Sequence, residues 1–295
     1  MESQISKDFH RDFSKQHCGN ISLALRVSTT CYTSSMFFPL MKTPNLEGFC
    51  DLIYEGPNNW ENRIHKPVQI YLLWSNGKTW NSKKLVEMRV GDEARLTTAD
   101  VDKECLATGL ALIYPSLKSL DSQLNSLPSK KVWYSEIPAW RNTAGFYNQF
   151  TQVSYQADIE PLPPKASLLT FHPFIQFGEV INNLLVLNVT NDPKIESGKI
   201  SMFNSHDKSF VADSLISTNS LTTIPLDVYS FKPTDLPIFY SSNIAGIPFG
   251  LGIAKSGKML SLEHTHPPAS LVLHGDRRGI QGKIKKSWIE KLVKA

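Results

Sequence analysis

The sequence predicts an all-β protein, built as two tandem, related β-sandwich halves of jelly-roll or immunoglobulin-like type and closed by a short basic amphipathic helix. Three observations predict it. Short segments rich in β-branched and aromatic residues recur along the chain, each bounded by Gly, Pro, Asn, Asp or Ser. One hairpin-like segment occurs twice. Helical spacing is confined to the C-terminus, with a weaker instance at Pro115–Ser126. Short strands with frequent turns suit a sandwich or barrel, not a parallel sheet with crossover helices.

In the first half the strand segments are Ile21–Val27, Val68–Trp74, Leu85–Val90 and Thr108–Tyr114. In the second they are Ser167–Phe174, Leu184–Thr190, Lys199–Asn204, Phe210–Ser217, Leu221–Leu226, Ile238–Ser241, Phe249–Ala254 and Met259–His264. Trp74-Ser75-Asn76-Gly77-Lys78-Thr79-Trp80 aligns without a gap on Asn204-Ser205-His206-Asp207-Lys208-Ser209-Phe210, an offset of 130. At the same offset Leu85 falls on Leu215, Val86 on Ile216 and Leu96 on Leu226. Asn76-Gly77 is a two-residue hairpin signal, since both residue types tolerate positive φ. A fixed offset over such a stretch points to duplication.

The boundary falls in Ile159-Glu160-Pro161-Leu162-Pro163-Pro164, whose prolines cannot extend a ladder. The expected units are therefore 1–158, 159–276 and the helix 277–295. In the first, Pro39–Arg63 reads as a strand-poor insertion and Pro128–Ala157 as a second one. Long loops on a β scaffold commonly carry binding surfaces.

Composition bounds the function classes. A chain of 295 residues with 41% hydrophobic and 20% charged residues is that of a globular protein with a real core. The net charge of +4 does not imply a nucleic-acid partner. No apolar run is long enough to cross a bilayer, and the polar N-terminus lacks a signal-peptide core, so the expected location is cytoplasmic. Cys18, Cys31, Cys50 and Cys105 show no metal or redox spacing and read as free, buried thiols. Sequons occur at Asn20 and Asn188.

Four segments could carry chemistry. In Leu260–Pro268, His264 and His266 share one face of a strand, and an H-x-H pair can supply two imidazoles to zinc or iron. His274 or His172 would be the third ligand, with His206 a further possibility. The competing reading makes the pair a strand-end cap, because the flanking glycine and glutamate of a cupin-type site are missing. His172 itself, before a proline in an apolar strand, reads first as a core or edge histidine.

The segment 132–142 brings together Trp133, Tyr134, Trp140 and Arg141 with Glu136 and Asn142. Such rings stack on sugars while the polar groups bond to hydroxyls, although they also suit an interface between the halves. In the tail, Ile280, Ile284, Trp288 and Leu292 form one stripe with Ile289 beside it. Seven basic residues and one acidic residue accompany the stripe, so it can dock on the parent protein or meet an anionic surface.

No G-x-G-x-x-G or G-x-S-x-G occurs. Gly252–Lys258 matches G-x-x-x-x-G-K, but Met259 replaces the magnesium-binding hydroxyl and the surroundings read as a hairpin. The expectation is a non-catalytic protein binding a small-molecule or glycan ligand or a protein partner. The alternatives are a zinc or iron enzyme using His264 and His266, and an adaptor using its basic helix on an anionic partner or membrane.

Overall fold

A computed structural model of the chain describes residues 35–54, 67–89, 91–128, 140–171, 178–229, 231, 235–264 and 277–293. It is mostly β, with antiparallel sheets and one C-terminal helix. The first strands are β1 (Ser35–Pro39), β2 (Lys42–Thr43), β3 (Leu46–Tyr54), β4 (Val68–Ser75), β5 (Trp80–Met88) and β6 (Glu93–Thr97). Then come β7 (Leu110–Ser116), β8 (Gln123–Leu124), β9 (Trp140–Tyr147), β10 (Gln152–Gln156) and β11 (Asp158–Ile159). Residues 160–167, with their three prolines, form no strand. Beyond them lie β12 (Leu168–Phe171), β13 (Val180–Asn188), β14 (Ser197–Asn204) and β15 (Phe210–Ser217). The last are β16 (Ser220–Pro225), β17 (Pro237–Ser241), β18 (Ile247–Ala254), β19 (Leu260–His264) and helix α1 (Arg277–Val293).

Sheet A runs β11-β1-β7-β4-β5-β8, and sheet B runs β10-β9-β3-β2 with β6 also on β3. Sheet C runs β12-β17-β14-β15, and sheet D runs β16-β13-β18-β19. The order β1-β7-β4-β5 recurs as β12-β17-β14-β15, and β10-β9-β3-β6 recurs as β19-β18-β13-β16. The same eight-strand connectivity thus occurs twice in the same chain order.

Paired registers refine the repeat. Ser75↔Trp80 closes the first hairpin and Phe203↔Phe210 the second. The outgoing strands keep the offset of 130, from Trp80 to Phe210, but the incoming strands are offset by 128, from Ser75 to Phe203. The gapless alignment is therefore corrected: the second turn is two residues longer. The Asn76-Gly77 turn is also not a two-residue one. Residues 76–79 form the loop, because Asn76 Oδ1 accepts from Lys78 N at 2.9 Å and Thr79 N at 2.8 Å.

Both supposed insertions hold core strands. Pro39–Arg63 contains β3, which pairs β2, β6 and β9, and Pro128–Ala157 contains β9 and β10. The sequence LEGFCDLIY hides a strand because Glu47 and Asp51 interrupt its apolar positions, while Leu46, Phe49, Cys50, Leu52 and Tyr54 are all buried. The segment 115–126 is not helical. It holds the end of β7 and β8, and short 3-10 turns lie instead at Thr98–Asp100 and Lys103–Thr108.

Alternation along the strands gives the layer order. Met36, Phe38, Ile70, Leu72 and Ile113 project from one face of sheet A; Phe37, Tyr71, Leu73, Leu112 and Tyr114 project from the other. All ten are buried. The second face meets sheet D, where the Phe37 and Phe249 rings lie 5.5 Å apart. Leu185, Leu187, Phe249 and Leu251 of sheet D belong to the same core cluster as sheets A and B. Leu184 and Val186, on the other face of β13, join the core of sheet C with Ile200, Met202 and Phe239. Burial on both faces is why β4, β13 and β18 read as nearly continuous apolar runs.

The outer face of sheet C is covered by α1. Leu292, Trp288 and Ile289 pack on Leu169, Phe203, Ile238 and Tyr240, and Lys285 Nζ donates to Ser167 O at 2.8 Å. The stripe therefore docks through its C-terminal part, whereas Ile284 stays exposed. Among the described residues no helix is long and apolar enough to cross a membrane.

Phe249 joins sheet D to sheets A and B, so Phe249→Ala is expected to remove about 3–5 kcal/mol of stability. Urea unfolding should show a lower midpoint with an unchanged slope.

Candidate functional site

A cavity of about 530 Å³ opens where one end of sheet B meets the corresponding end of sheet D. It is lined by the β2–β3 turn, the start of β3, the β9–β10 turn, Ile181 of β13 and the β18–β19 turn. The two hairpin turns are tied together, as Asn148 Nδ2 donates to Gly257 O at 2.8 Å. Asn148 also shapes its own turn, since its Oδ1 accepts from Phe150 N at 2.9 Å and Thr151 N at 3.0 Å. That turn presents the Phe150 ring, 56% exposed, toward Gly257.

Glu47 is the acid of this cavity. It sits opposite Tyr147 in the β3–β9 ladder, and its side chain is 18% exposed. Thr98 donates its hydroxyl to Oε1, Lys42 Nζ donates to Oε1 at 3.2 Å and the Tyr147 hydroxyl donates to Oε2 at 2.9 Å. Burial opposes ionisation, but these hydrogen bonds outweigh it and hold the carboxyl below its ordinary range. Burial and the bond to Glu47 push the Tyr147 phenol up. Beside them Arg95 grips Asp51 with two bonds of 2.7 Å, reaches Gln152 and lies 4.4 Å over the Phe49 ring. Glu47 is thus a fixed anionic acceptor. A general acid needs the opposite shift.

No protein-family model, curated protein or solved structure matches this chain. The chain's own geometry carries the reading.

Of the sequence-derived site residues, His264 is described. Its ring lies tilted against Tyr155 at 4.9 Å and Phe249 at 5.0 Å, in the seam between sheets B and D. His172, His266 and His274 lie outside the described residues, as do Trp133 and Tyr134. Among the described residues no group of three His, Cys, Asp or Glu side chains is placed to hold a metal ion. His206 sits on the β14–β15 turn, where its amide donates to Asn204 Oδ1.

Trp140 and Arg141 begin β9, opposite Tyr54 and Ile53. The cavity lies at the other end of that strand, about 23 Å away at strand rise. Sequence reading missed the cavity because Glu47, Tyr147, Ile181 and Ile253 are far apart in the chain. Cys50 and Cys105 are buried, and burial raises the Cys105 thiol to about 11. Asn188 of the second sequon is buried, with Nδ2 donating to Ala245 O at 2.7 Å. Gly252–Lys258 lies on the β18–β19 hairpin, closed by Ala254 N donating to Met259 O.

The Glu47 carboxyl lies below its unfolded value of about 4.3. Its stabilising contribution is therefore complete above that pH and is lost as pH falls through the folded value. In urea titrations from pH 6 to pH 3 the wild type should lose more stability than Glu47→Gln, with the gap changing below about pH 4.3. A difference constant with pH would remove the hydrogen-bonded carboxylate from the account.

Proposed function

We propose that the chain is a non-catalytic binding protein made of two related β-sandwich units, and that it takes a carbohydrate ligand in the cavity between them. The carrying observation is an exposed aromatic ring, Phe150, in one cavity with a fixed carboxylate, Glu47. An aromatic face stacks on the apolar face of a sugar, and a carboxylate accepts from its hydroxyls. The cavity volume of about 530 Å³ suits a small ligand. The repeated strand connectivity supports the two-unit reading. Between two units is also a common place for a ligand site.

Glu47 keeps one acceptor direction for a ligand. A carboxylate has about four lone-pair sites, and Thr98, Lys42 and Tyr147 occupy three of them. The exposed Phe150 side chain can be truncated without disturbing either core. The aromatic segment around Trp133 and Trp140 is the other place at which the same ligand class would bind.

Glycan-array screening followed by calorimetric titration tests this reading. Phe150→Ala is expected to weaken binding about tenfold, and Glu47→Gln about ten- to hundredfold. Absence of any glycan binding would overturn the proposal. So would binding that survives both variants and is lost in Trp133→Ala/Trp140→Ala.

A further inference from the structure

The cavity has two walls that occupy the same place in the repeated connectivity. In the β3–β9 ladder the outermost pair before the turn is Glu47↔Tyr147. In the β13–β18 ladder the corresponding pair is Ile181↔Ile253, one in from Val180↔Ala254, since Tyr147↔Gln152 and Ile253↔Leu260 are the last pairs before the two hairpin turns. The strands correspond because β9-β3 and β18-β13 hold the same positions in sheets B and D, with hairpins to β10 and β19 following. All four side chains line the one cavity. At equivalent positions, then, one wall is a hydrogen-bonded carboxylate and phenol and the other is two isoleucines.

The apolar wall is open to solvent. Ile181 is 41% exposed and Phe150 is 56% exposed, while Ile253 is half-buried. Elsewhere the same face of sheet D is covered, since Leu185, Leu187, Phe249 and Leu251 lie against sheet A. The face therefore runs past its protein cover into the cavity, where apolar surface remains that a ligand can remove from water.

We propose that the ligand is an amphiphilic glycoside, whose sugar meets Glu47 and Tyr147 against the Phe150 ring and whose apolar aglycone lies on Ile181 and Ile253. This rests on the carbohydrate reading of the cavity. A sugar alone satisfies the polar wall and leaves the isoleucines wet. An apolar substituent covers them and gains affinity with each buried methylene, about fourfold apiece.

The test is calorimetric titration of the full chain with paired methyl and n-hexyl β-glycosides of glucose, galactose, mannose and N-acetylglucosamine, below their micelle concentrations. For the sugar that binds, the hexyl glycoside should be at least roughly tenfold tighter than the methyl glycoside, the gain from burying about two methylenes. In Ile181→Ser/Ile253→Ser that gain should vanish while methyl-glycoside affinity is kept; Ile181→Ser alone, at an exposed site, should remove part of it. Equal affinity of the pair, or a hexyl gain untouched by the isoleucine variants, would overturn this inference and leave the carbohydrate reading standing. Binding of neither form of any sugar would overturn both.

Discussion

The two central strands of sheet D, β13 and β18, have no solvent face along most of their length, and the rest of the molecule follows from that constraint. Strand β13 sends Leu185 and Leu187 into the core shared with sheets A and B, and Leu184 and Val186 into the core shared with sheet C. A strand packed on both sides must be apolar at successive positions, as the run LLVL is. One apolar core therefore joins sheets A and B to D and another joins D to C, so that the repeated connectivity meets itself head to tail. Such a head-to-tail contact does not close on itself, so each end of the stack needs its own termination.

The two ends are terminated differently. Sheet B turns outward Glu47 and Asp51, where sheet D at corresponding positions has Ile181 beside the cavity and Leu185 in the core shared with sheet A. Charge and hydrogen bonds at that end replace apolar burial. At the other end the residues of sheet C that correspond to Phe37, Leu110 and Leu112 of sheet A are Leu169, Ile238 and Tyr240. They lie beneath Trp288, Ile289 and Leu292 of α1. The helix thus occupies on sheet C the place that sheet D occupies on sheet A. The cavity sits where this stacking runs out, with a polar wall from sheet B beside an apolar one from sheet D.

How much of this was legible depended on which signal each element left. Strands of the second part showed themselves through β-branched runs and turns, and β13 to β19 follow the sequence reading closely. Strand β3 did not, because Glu47, Gly48 and Asp51 break its pattern; Gly48 is required there since a Cβ would lie 1.8 Å from Pro39 O. Strands β9 and β10 were masked by the aromatic segment before them. The repeat was visible only at its hairpin, since one offset of 130 cannot follow strands whose connecting turns differ in length. With the register from Glu47 to Ile181, an offset of 134, the contrast between the cavity walls becomes readable. The histidine pair drew attention through its spacing. Of that pair His264 is described, with its ring against Tyr155 and Phe249.

The central claim is that sheet D belongs to two cores at once. Native-state hydrogen exchange of the β4, β13 and β18 amides tests it most directly. Shared burial predicts that the slowest amides of sheets A and D exchange only through one global opening, with the same free energy and the same denaturant dependence. A smaller, separate opening that releases β13 and β18 while β4 stays protected would contradict it.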